Sequence, residues 1–435
     1  MRARIEFPDA PVSWPPQRTG AVRRRGRRER RRDQRKERLV AVVVALVAAG
    51  VSALAVTRVI DSGVIGDFAA HLRYARRLAH DLDLPFGHFL FPLLAGVLGE
   101  ALGSYRAAAI VIGSMAQGAL AAAIVVWFRS RLATIGDVAR WASHGWAPAA
   151  ATLMVLVAGP VSVALADGLR GHYFGYVALS TYHNPTQLLL RPFAVLLFLA
   201  VVQVLGARSR NRPPSIAFLG ALVVLTTLAK PSYTVCVVPA ALLMTWLDRG
   251  VNRDFDRRAL LLGVVAPAVF AVAVTYVITF VTGAETLESA SDGIVFAPFD
   301  VVSFYSDQLL AKFALSLLFP IAVLGCYPGA LSKDIALRLA WICFAIGAFA
   351  MYFLAESGAR RYQANFFWSA QVTLFIVYAA SMAHVLVAEA KRRDATGRWR
   401  PRINTAVCAG AFTLSIVSGL EFLLATVVKP HDLLT

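Results

Sequence analysis

Two residues able to move protons, Asp67 and His71, lie four positions apart in the stretch Gly66-Asp67-Phe68-Ala69-Ala70-His71. Residues four apart on a helix share a face, so both side chains can reach one substrate. A carboxylate in that position can act as a general base towards a hydroxyl group. The same carboxylate can instead cap a helix that begins at Phe68 by accepting a backbone N–H. We predict Asp67 and His71 as catalytic residues, and the capping role is compatible with this.

A second polar cluster, Thr181-Tyr182-His183-Asn184-Pro185-Thr186, directly precedes a strongly apolar run. Asn184 suits the cap of a helix and Pro185 its first turn. A helix start explains these two residues but not the histidine and tyrosines, although tyrosines are also common at membrane interfaces. We therefore predict that His183 and Asn184 contact a substrate, with the helix start as the alternative.

Three cations and one acid complete the predicted site. Lys230 lies between two apolar runs and is directed either at lipid headgroups or at a bound phosphate. The stretch Glu356-Ser357-Gly358-Ala359-Arg360-Arg361 places two arginines between two further apolar runs, and arginine is suited to binding phosphate through two N–H groups. Glu356 can orient Arg360 for that purpose, or the pair can be a structural clasp between helices. We predict Lys230, Glu356, Arg360 and Arg361 as substrate- and phosphate-binding residues.

The composition shows what kind of protein must hold these residues. The chain of 435 residues is 58% hydrophobic and 16% charged, with a mean hydropathy of +0.61. Soluble domains are about half apolar and about a quarter charged, so this is an integral membrane protein. The predicted fold class is all-α and polytopic, with one membrane domain over residues 39–435.

Eleven transmembrane helices are predicted from apolar runs long enough to cross about 30 Å of hydrocarbon. They lie near 39–60, 106–128, 147–166, 187–206, 215–229, 231–247, 259–281, 309–328, 336–355, 366–388 and 404–426.

The distribution of basic residues predicts the orientation of these helices. If the broken apolar stretch 88–104 lies on or dips into the outer face, the basic loops all face the cytoplasm, as the positive-inside rule requires. These loops are 129–146, 207–214, 248–258 and 389–403. The first exterior loop, 61–105, then carries helices along the membrane surface, and the candidate site residues all reach that outer face.

The first 38 residues contain 14 Lys/Arg against 5 Asp/Glu and include the basic run Arg23–Arg32. Such a run can bind nucleic acid, but its position before a membrane helix favours a disordered cytoplasmic tail that attracts anionic lipids. We therefore predict a multi-pass protein of the plasma membrane with a cytoplasmic N-terminus and no nucleic-acid partner. The four cysteines, in or at the ends of apolar runs, read as core residues rather than metal ligands.

No nucleotide-binding, serine-hydrolase or zinc-protease motif occurs in the chain. The layout resembles that of the GT-C superfamily of integral membrane glycosyltransferases. The resemblance rests on a cytoplasmic start, an acidic residue soon after the first span (Asp67), and interfacial helices that end in a turn, Gly103-Ser104-Tyr105-Arg106, before the second span. It covers most of the membrane domain in layout, but its motifs are short, and neither a second acidic pair nor a C-terminal exterior domain is found.

The resemblance implies an inverting transfer of a sugar from a polyprenyl-phosphate donor to a glycan or lipid acceptor in the cell envelope. Asp67 would be the base; Arg360, Arg361 and Lys230 would stabilise the leaving phosphate; His71, His183 and Asn184 would contact sugar or phosphate. The resemblance implies no certain cofactor, and outward-facing Asp, Glu and His side chains could hold a divalent metal ion through water. The alternatives are an O-antigen-type polymerase or ligase and a transporter or other non-enzymatic membrane component.

Overall fold

The structure, a computed structural model, describes residues 20–63, 67–82, 87–135, 146–162, 173–206, 214–248, 255–282, 293–396 and 402–428. It is a helical bundle with one small two-stranded sheet. In chain order the first helices are α1 (Gly20–Ser62), α2 (Phe68–Asp81), α3 (Leu90–Leu102), α4 (Tyr105–Leu132), α5 (Ala147–Val157), α6 (Pro185–Leu205), α7 (Ile216–Ala229) and α8 (Thr234–Leu247).

The second half begins with a π-helical segment (Ala259–Val265) that continues through α9 (Ala266–Tyr276) into a second one (Val277–Thr282). After it come β1 (Ile294–Phe296), α10 (Asp300–Tyr305), α11 (Leu309–Ser316), α12 (Leu318–Cys326), α13 (Ala330–Lys333), α14 (Ile335–Phe353), β2 (Leu354–Glu356), a 3₁₀ helix (Gly358–Gln363), α15 (Phe367–Thr396) and α16 (Ile403–Val428).

Among the described residues, seven helical stretches are long and apolar enough to cross a membrane, which confirms the polytopic helical class. They are Arg35–Ser62, Tyr105–Leu132, Pro185–Leu205, Ala259–Val281, Ile335–Phe353, Arg360–Arg393 and Ile403–Val428. Each overlaps a predicted span. The predicted span 309–328 is instead two helices, α11 and α12, bent by 58° at their junction.

The other three predicted spans are shorter helices. The chain leaves α5 after 11 residues, and α7 and α8 have 14 residues each. At 1.5 Å per residue these helices are only about 16 to 21 Å long, less than the hydrocarbon thickness. The number eleven therefore stays a prediction.

The helix α1 begins at Gly20, inside the segment predicted to be a disordered tail. Residues 20–38 are thus a helical extension of the first span, whereas residues 1–19 lie outside the described part of the chain. Arginine, glutamate, glutamine and lysine are good helix formers, and a helix already nucleated in the apolar span extends into them easily.

Ion pairs mark the two ends of the bundle. Arg106 at the start of α4 pairs with Asp61 at the end of α1, 2.7 Å apart. At the opposite end, Arg129 of α4 pairs with Glu37 of α1 at 3.2 Å, so these helices run antiparallel. Asp334 lies at that same opposite end, where it accepts a hydrogen bond from Arg131 at 2.5 Å and caps α14.

The remaining polar segments gather at the end marked by Asp61. The strands β1 and β2 pair antiparallel there, with Ile294 opposite Glu356, and tie the loop after the second π-helical segment to the loop before α15. The distribution of charge predicted that four polar segments lie at the same end of the helices. They are the first loop, the segment before α6, Lys230 and the 356–365 loop.

Two glycines allow the first loop to pack closely. A Cβ atom at Gly96 of α3 would lie 3.0 Å from the backbone oxygen of Ala75 in α2. A Cβ atom at Gly87 would lie 2.4 Å from backbone atoms of Thr275 in α9, closer than real contacts allow. The first loop is therefore held against both its own helices and α9.

Candidate functional site

The beginning of α6 forms as the sequence predicts. Asn184 is the N-cap, with its Oδ1 accepting from the backbone N–H of Gln187 at 2.8 Å, and Pro185 occupies the first turn. The same oxygen accepts a second hydrogen bond, from the hydroxyl of Thr186 at 2.8 Å. With its oxygen occupied by two donors, the Asn184 amide presents its NH₂ group on the other side.

That NH₂ group meets Asp67, because Asn184 Nδ2 donates to Asp67 Oδ2. The backbone N–H of Asp67 also donates to the carbonyl oxygen of His183, at 3.1 Å. Asp67 does occupy the N-cap position of α2, but its carboxylate makes no capping hydrogen bond with that helix. The carboxylate is therefore directed at the segment before α6, and the capping role is not the one it performs.

Lys230 lies at the other side of Thr186. Its Nζ donates to Thr186 Oγ1 at 3.2 Å and sits 4.6 Å from the centre of the Trp368 ring. The residue is 5% exposed, so its amine is largely shielded from solvent. Burial lowers the pKa of Lys230 to about 8, against the opposing effect of the negative charges of Asp67 and Glu356.

The two predicted histidines flank Asp67 from different elements. His71, on α2, is buried with its ring 5.9 Å from that of Phe91. His183 packs against Tyr173 at 4.8 Å and Trp368 at 5.9 Å. Burial lowers the pKa of each to about 4, although the charge of Asp67 opposes this. Both rings are therefore neutral at pH 7 and can exchange hydrogen bonds with a substrate without adding charge.

Glu356 and Arg360 form the predicted pair, with Arg360 Nε 3.0 Å from Glu356 Oε2. The same oxygen accepts from Asn365 Nδ2 at 2.9 Å. Both charged side chains are about nine-tenths buried. These contacts fix the direction of the guanidinium group. They are consistent with both predicted roles of the pair, a structural clasp between helices and the orientation of Arg360.

Arg361 departs from its neighbour. It pairs with Asp300 at 2.7 Å through a side chain that is 42% exposed. Arg361 is therefore held by α10 and does not line the cleft at Lys230, although it shares a small neighbouring pocket with Arg360. The two adjacent arginines were predicted to act together on a phosphate. The 3₁₀ helix that contains them instead directs each to a different acid, Arg360 to Glu356 and Arg361 to Asp300.

A cleft with a volume of about 160 Å³ lies at Lys230 and Arg360, whereas Asp67, His71, His183 and Asn184 do not line it. Its polar end is formed by His88, Lys230, Glu356, Arg360 and Asn365. Its wall is mainly apolar and comes from α8, α9 and the second π-helical segment, with Val235, Val272, Tyr276 and Phe280 among its residues. The cleft thus combines a cationic end with a hydrophobic side, and Asp67 lies beside that end, behind Thr186 and Asn184.

His88 and Thr186 belong to this arrangement but were not predicted as site residues. The hydroxyl of Thr279 accepts from the backbone N–H of Gly87 at 3.0 Å, which places His88 at the cleft. Burial also lowers the pKa of His88 well below its usual value. The sequence signal was the pair Gly87-His88 before an apolar helix, and for Thr186 a hydroxyl directly after Asn-Pro.

The structure also shows where possible metal ligands and the four cysteines lie. Across the described residues, no group of three or more His, Cys, Asp or Glu side chains is placed to hold a metal ion. His172, near the predicted polar cluster, lies outside the described residues. Cys236, Cys343 and Cys408 are buried and unbridged, in line with their predicted place in the core, and Cys326 is partly buried.

We compared the chain with known protein families and curated proteins. No family model matches the chain, and no curated protein is similar to it.

Proposed function

We propose that this protein is a membrane glycosyltransferase that moves a sugar from a polyprenyl-phosphate donor to a glycan or lipid acceptor. The observation that carries the proposal is the cleft, in which Lys230 and Arg360 form a cationic end beside an apolar wall. A polyprenyl phosphate has the matching form, an anionic head on a long apolar chain. The polyprenyl tail would lie along α8 and α9, and its phosphate would bind at Lys230 and Arg360.

The base in this proposal is Asp67. It would take the proton of an acceptor hydroxyl while the oxygen bonds to the anomeric carbon from the face opposite the phosphate. The bond between the anomeric carbon and the phosphate oxygen breaks, and polyprenyl phosphate leaves with inversion at the sugar. A single displacement of this kind needs one base and a means of stabilising the leaving anion.

The other residues have supporting roles. Lys230 and Arg360 would stabilise the charge that develops on the phosphate, and Glu356 holds Arg360 in direction. His71 and His183, both neutral at pH 7, would hydrogen-bond the sugar or acceptor. Arg361 is outside this set, since Asp300 holds it elsewhere.

The chemistry is proposed for the extracytoplasmic face of the plasma membrane, with eleven spans and a cytoplasmic N-terminus. The opposite end of the bundle carries the basic residues next to the predicted inner loops, such as Arg129 and Arg131. Positive charge of this kind favours the cytoplasmic side. A transporter would instead place polar groups near the middle of the membrane, accessible from both sides.

The test is transfer from polyprenyl-phosphate-linked hexoses and pentoses by the purified protein in lipid nanodiscs, comparing Asp67→Asn with Asp61→Asn. Asp61 is a matched control because it lies at the same end of the bundle in a half-exposed pair with Arg106. We expect Asp67→Asn to lower kcat at least about 100-fold, the usual contribution of a general base, and Asp61→Asn to leave it unchanged. Undiminished transfer by a folded Asp67→Asn protein would exclude Asp67 as the base and favour a polymerase or ligase with its catalytic groups in later loops.

A further inference from the structure

A continuous chain of hydrogen bonds connects the cationic end of the cleft with Asp67. Lys230 Nζ donates to Thr186 Oγ1 at 3.2 Å, and Thr186 Oγ1 donates to Asn184 Oδ1 at 2.8 Å. Asn184 Nδ2 then donates to Asp67 Oδ2. Every donor in the chain points from the lysine towards the carboxylate.

The directions of these bonds follow from the number of donors that each group has. A hydroxyl has one proton, and Thr186 gives it to Asn184, so the Thr186 oxygen is left to accept from Lys230. Asn184 Oδ1 is occupied by Thr186 and by the N–H of Gln187, so the amide cannot turn over without losing both bonds. Thr186, Asn184 and Lys230 are all at least 95% buried, where an unmade hydrogen bond is costly.

We propose that Thr186 is a positioning residue that couples the donor-phosphate site at Lys230 to the orientation of the Asp67 carboxylate. This rests on the proposed function for its catalytic consequence. A phosphate bound to Lys230 would act on the same ammonium group that donates to Thr186. Hydrogen bonds in such a chain polarise one another, so a change at the lysine end reaches the carboxylate end.

This series of hydrogen bonds explains why polar groups are buried at this position. Asn184 would need only the N–H of Gln187 to cap α6, and a helix cap does not require a hydroxyl at Thr186. Lys230 would find a partner more cheaply in water than beside Trp368. Placed together, the three residues link Asp67, at the start of α2, with the cleft at Lys230.

The variant that tests the coupling is Thr186→Val, which removes the hydroxyl and keeps the shape of the side chain. The matched control is Thr226→Val in α7, because Thr226 is equally buried and its hydroxyl bonds only to the backbone of its own helix, at Leu222. Thr186→Ser restores a hydroxyl and should restore function. Thermal unfolding of all three variants in nanodiscs shows that they are folded.

The first readout is transfer. In the Thr186→Val protein we expect kcat to fall about tenfold while the KM for the donor changes by less than about threefold, since the effect reaches the base and leaves Arg360 in place. In an Asp67→Asn background Thr186→Val should cause no further loss, because the residue acts through Asp67. Wild-type kcat in Thr186→Val, or an equal loss in both backgrounds, would show that Thr186 only packs.

The second readout needs no substrate. The rate at which a small amine reagent modifies Lys230 is measured by peptide mass spectrometry across pH. Without the Thr186 oxygen the ammonium form loses a hydrogen bond, so at pH 7 Lys230 should react at least about threefold faster in Thr186→Val than in Thr226→Val. Equal reactivity in the two variants would overturn the coupling. If the wild-type protein transferred no sugar from any donor, the proposed function would fail, and this readout would still decide whether Thr186 couples to Lys230.

Discussion

Asn184 donates a hydrogen bond from its side-chain amide to the carboxylate of Asp67, 117 positions earlier in the chain. This contact joins the first loop to the start of α6 and turns the carboxylate away from the helix that it precedes. Because Asn184 also holds Thr186 and caps α6, one asparagine determines the direction of the proposed base.

Replacing Asn184 tests that relationship. Asn184→Ala should destabilise the protein by about 1 kcal/mol through the lost cap and should lower kcat as well, since Asp67 loses its partner. Asn184→Asp keeps a capping oxygen but places a second carboxylate against Asp67, so it should recover only part of the stability and none of the rate. Thermal unfolding and transfer are measured on the same preparations. Recovery of both by Asn184→Asp would show that Asn184 is only a cap.

Binding of the donor phosphate should depend on pH through Lys230. Its pKa is lowered to about 8, so the ammonium is present below that pH and lost above it. The affinity for a polyprenyl monophosphate should therefore be constant near pH 7 and fall as pH rises through 8, approaching about tenfold per pH unit. Native mass spectrometry or a fluorescence titration in nanodiscs measures the affinity.

The control for this dependence is Lys230→Arg, in which the charge persists throughout the same range. Its affinity should stay level from pH 7 to pH 10, provided that it binds at pH 7. A fall in both proteins would assign the dependence to another group.

The pairs made by Arg360 and Arg361 should respond differently to the loss of their acids. Glu356→Gln leaves Arg360 buried without its counter-charge and should cost about 3 kcal/mol of stability, as for other broken buried pairs. Asp300→Asn breaks a pair that is one-third to one-half exposed and should cost less than about 1 kcal/mol. Donor affinity should fall with Arg360→Gln and stay unchanged with Arg361→Gln. Equal effects of the two arginine variants on affinity would contradict the separation seen in the structure.

Gly87 should tolerate no side chain. A Cβ atom there would meet the backbone of Thr275 at 2.4 Å, so Gly87→Ala should displace His88 from the cleft and cost about 1–3 kcal/mol. Gly325→Ala is the control, since a Cβ atom at Gly325 meets nothing within 4 Å. Stability and donor affinity of the two variants are compared, and a Gly87→Ala protein as stable as the control would show that the loop adjusts without cost.

The proposed orientation can be tested with single exposed cysteines at the two ends of the bundle. In a protein whose four native cysteines are replaced by alanine, Gln363→Cys at the site end should be labelled by an impermeant maleimide from outside intact cells. Ser332→Cys, exposed at the opposite end, should be labelled only after the cells are opened. The reverse pattern would place the site on the cytoplasmic face.

The sequence by itself determined the class of the protein and the start of α6. Hydropathy is a local property, and seven apolar runs long enough to span a membrane are helices in the structure. The cap at Asn184 followed from a preference that spans only a few residues. For the same reason the broken span at 309–328 and the short helices α5, α7 and α8 were not anticipated, because helix ends depend on neighbouring contacts.

Only the tertiary structure decided which polar residues meet. Asp67 became a partner of Asn184 instead of a cap, Lys230 was buried against Trp368 instead of reaching outwards, and Arg361 was drawn to Asp300. These contacts join segments far apart in the chain, and packing among the helices sets which side chains come within a few ångströms. A single sequence shows that such residues are polar and lie between helices, but it does not show the distances between them.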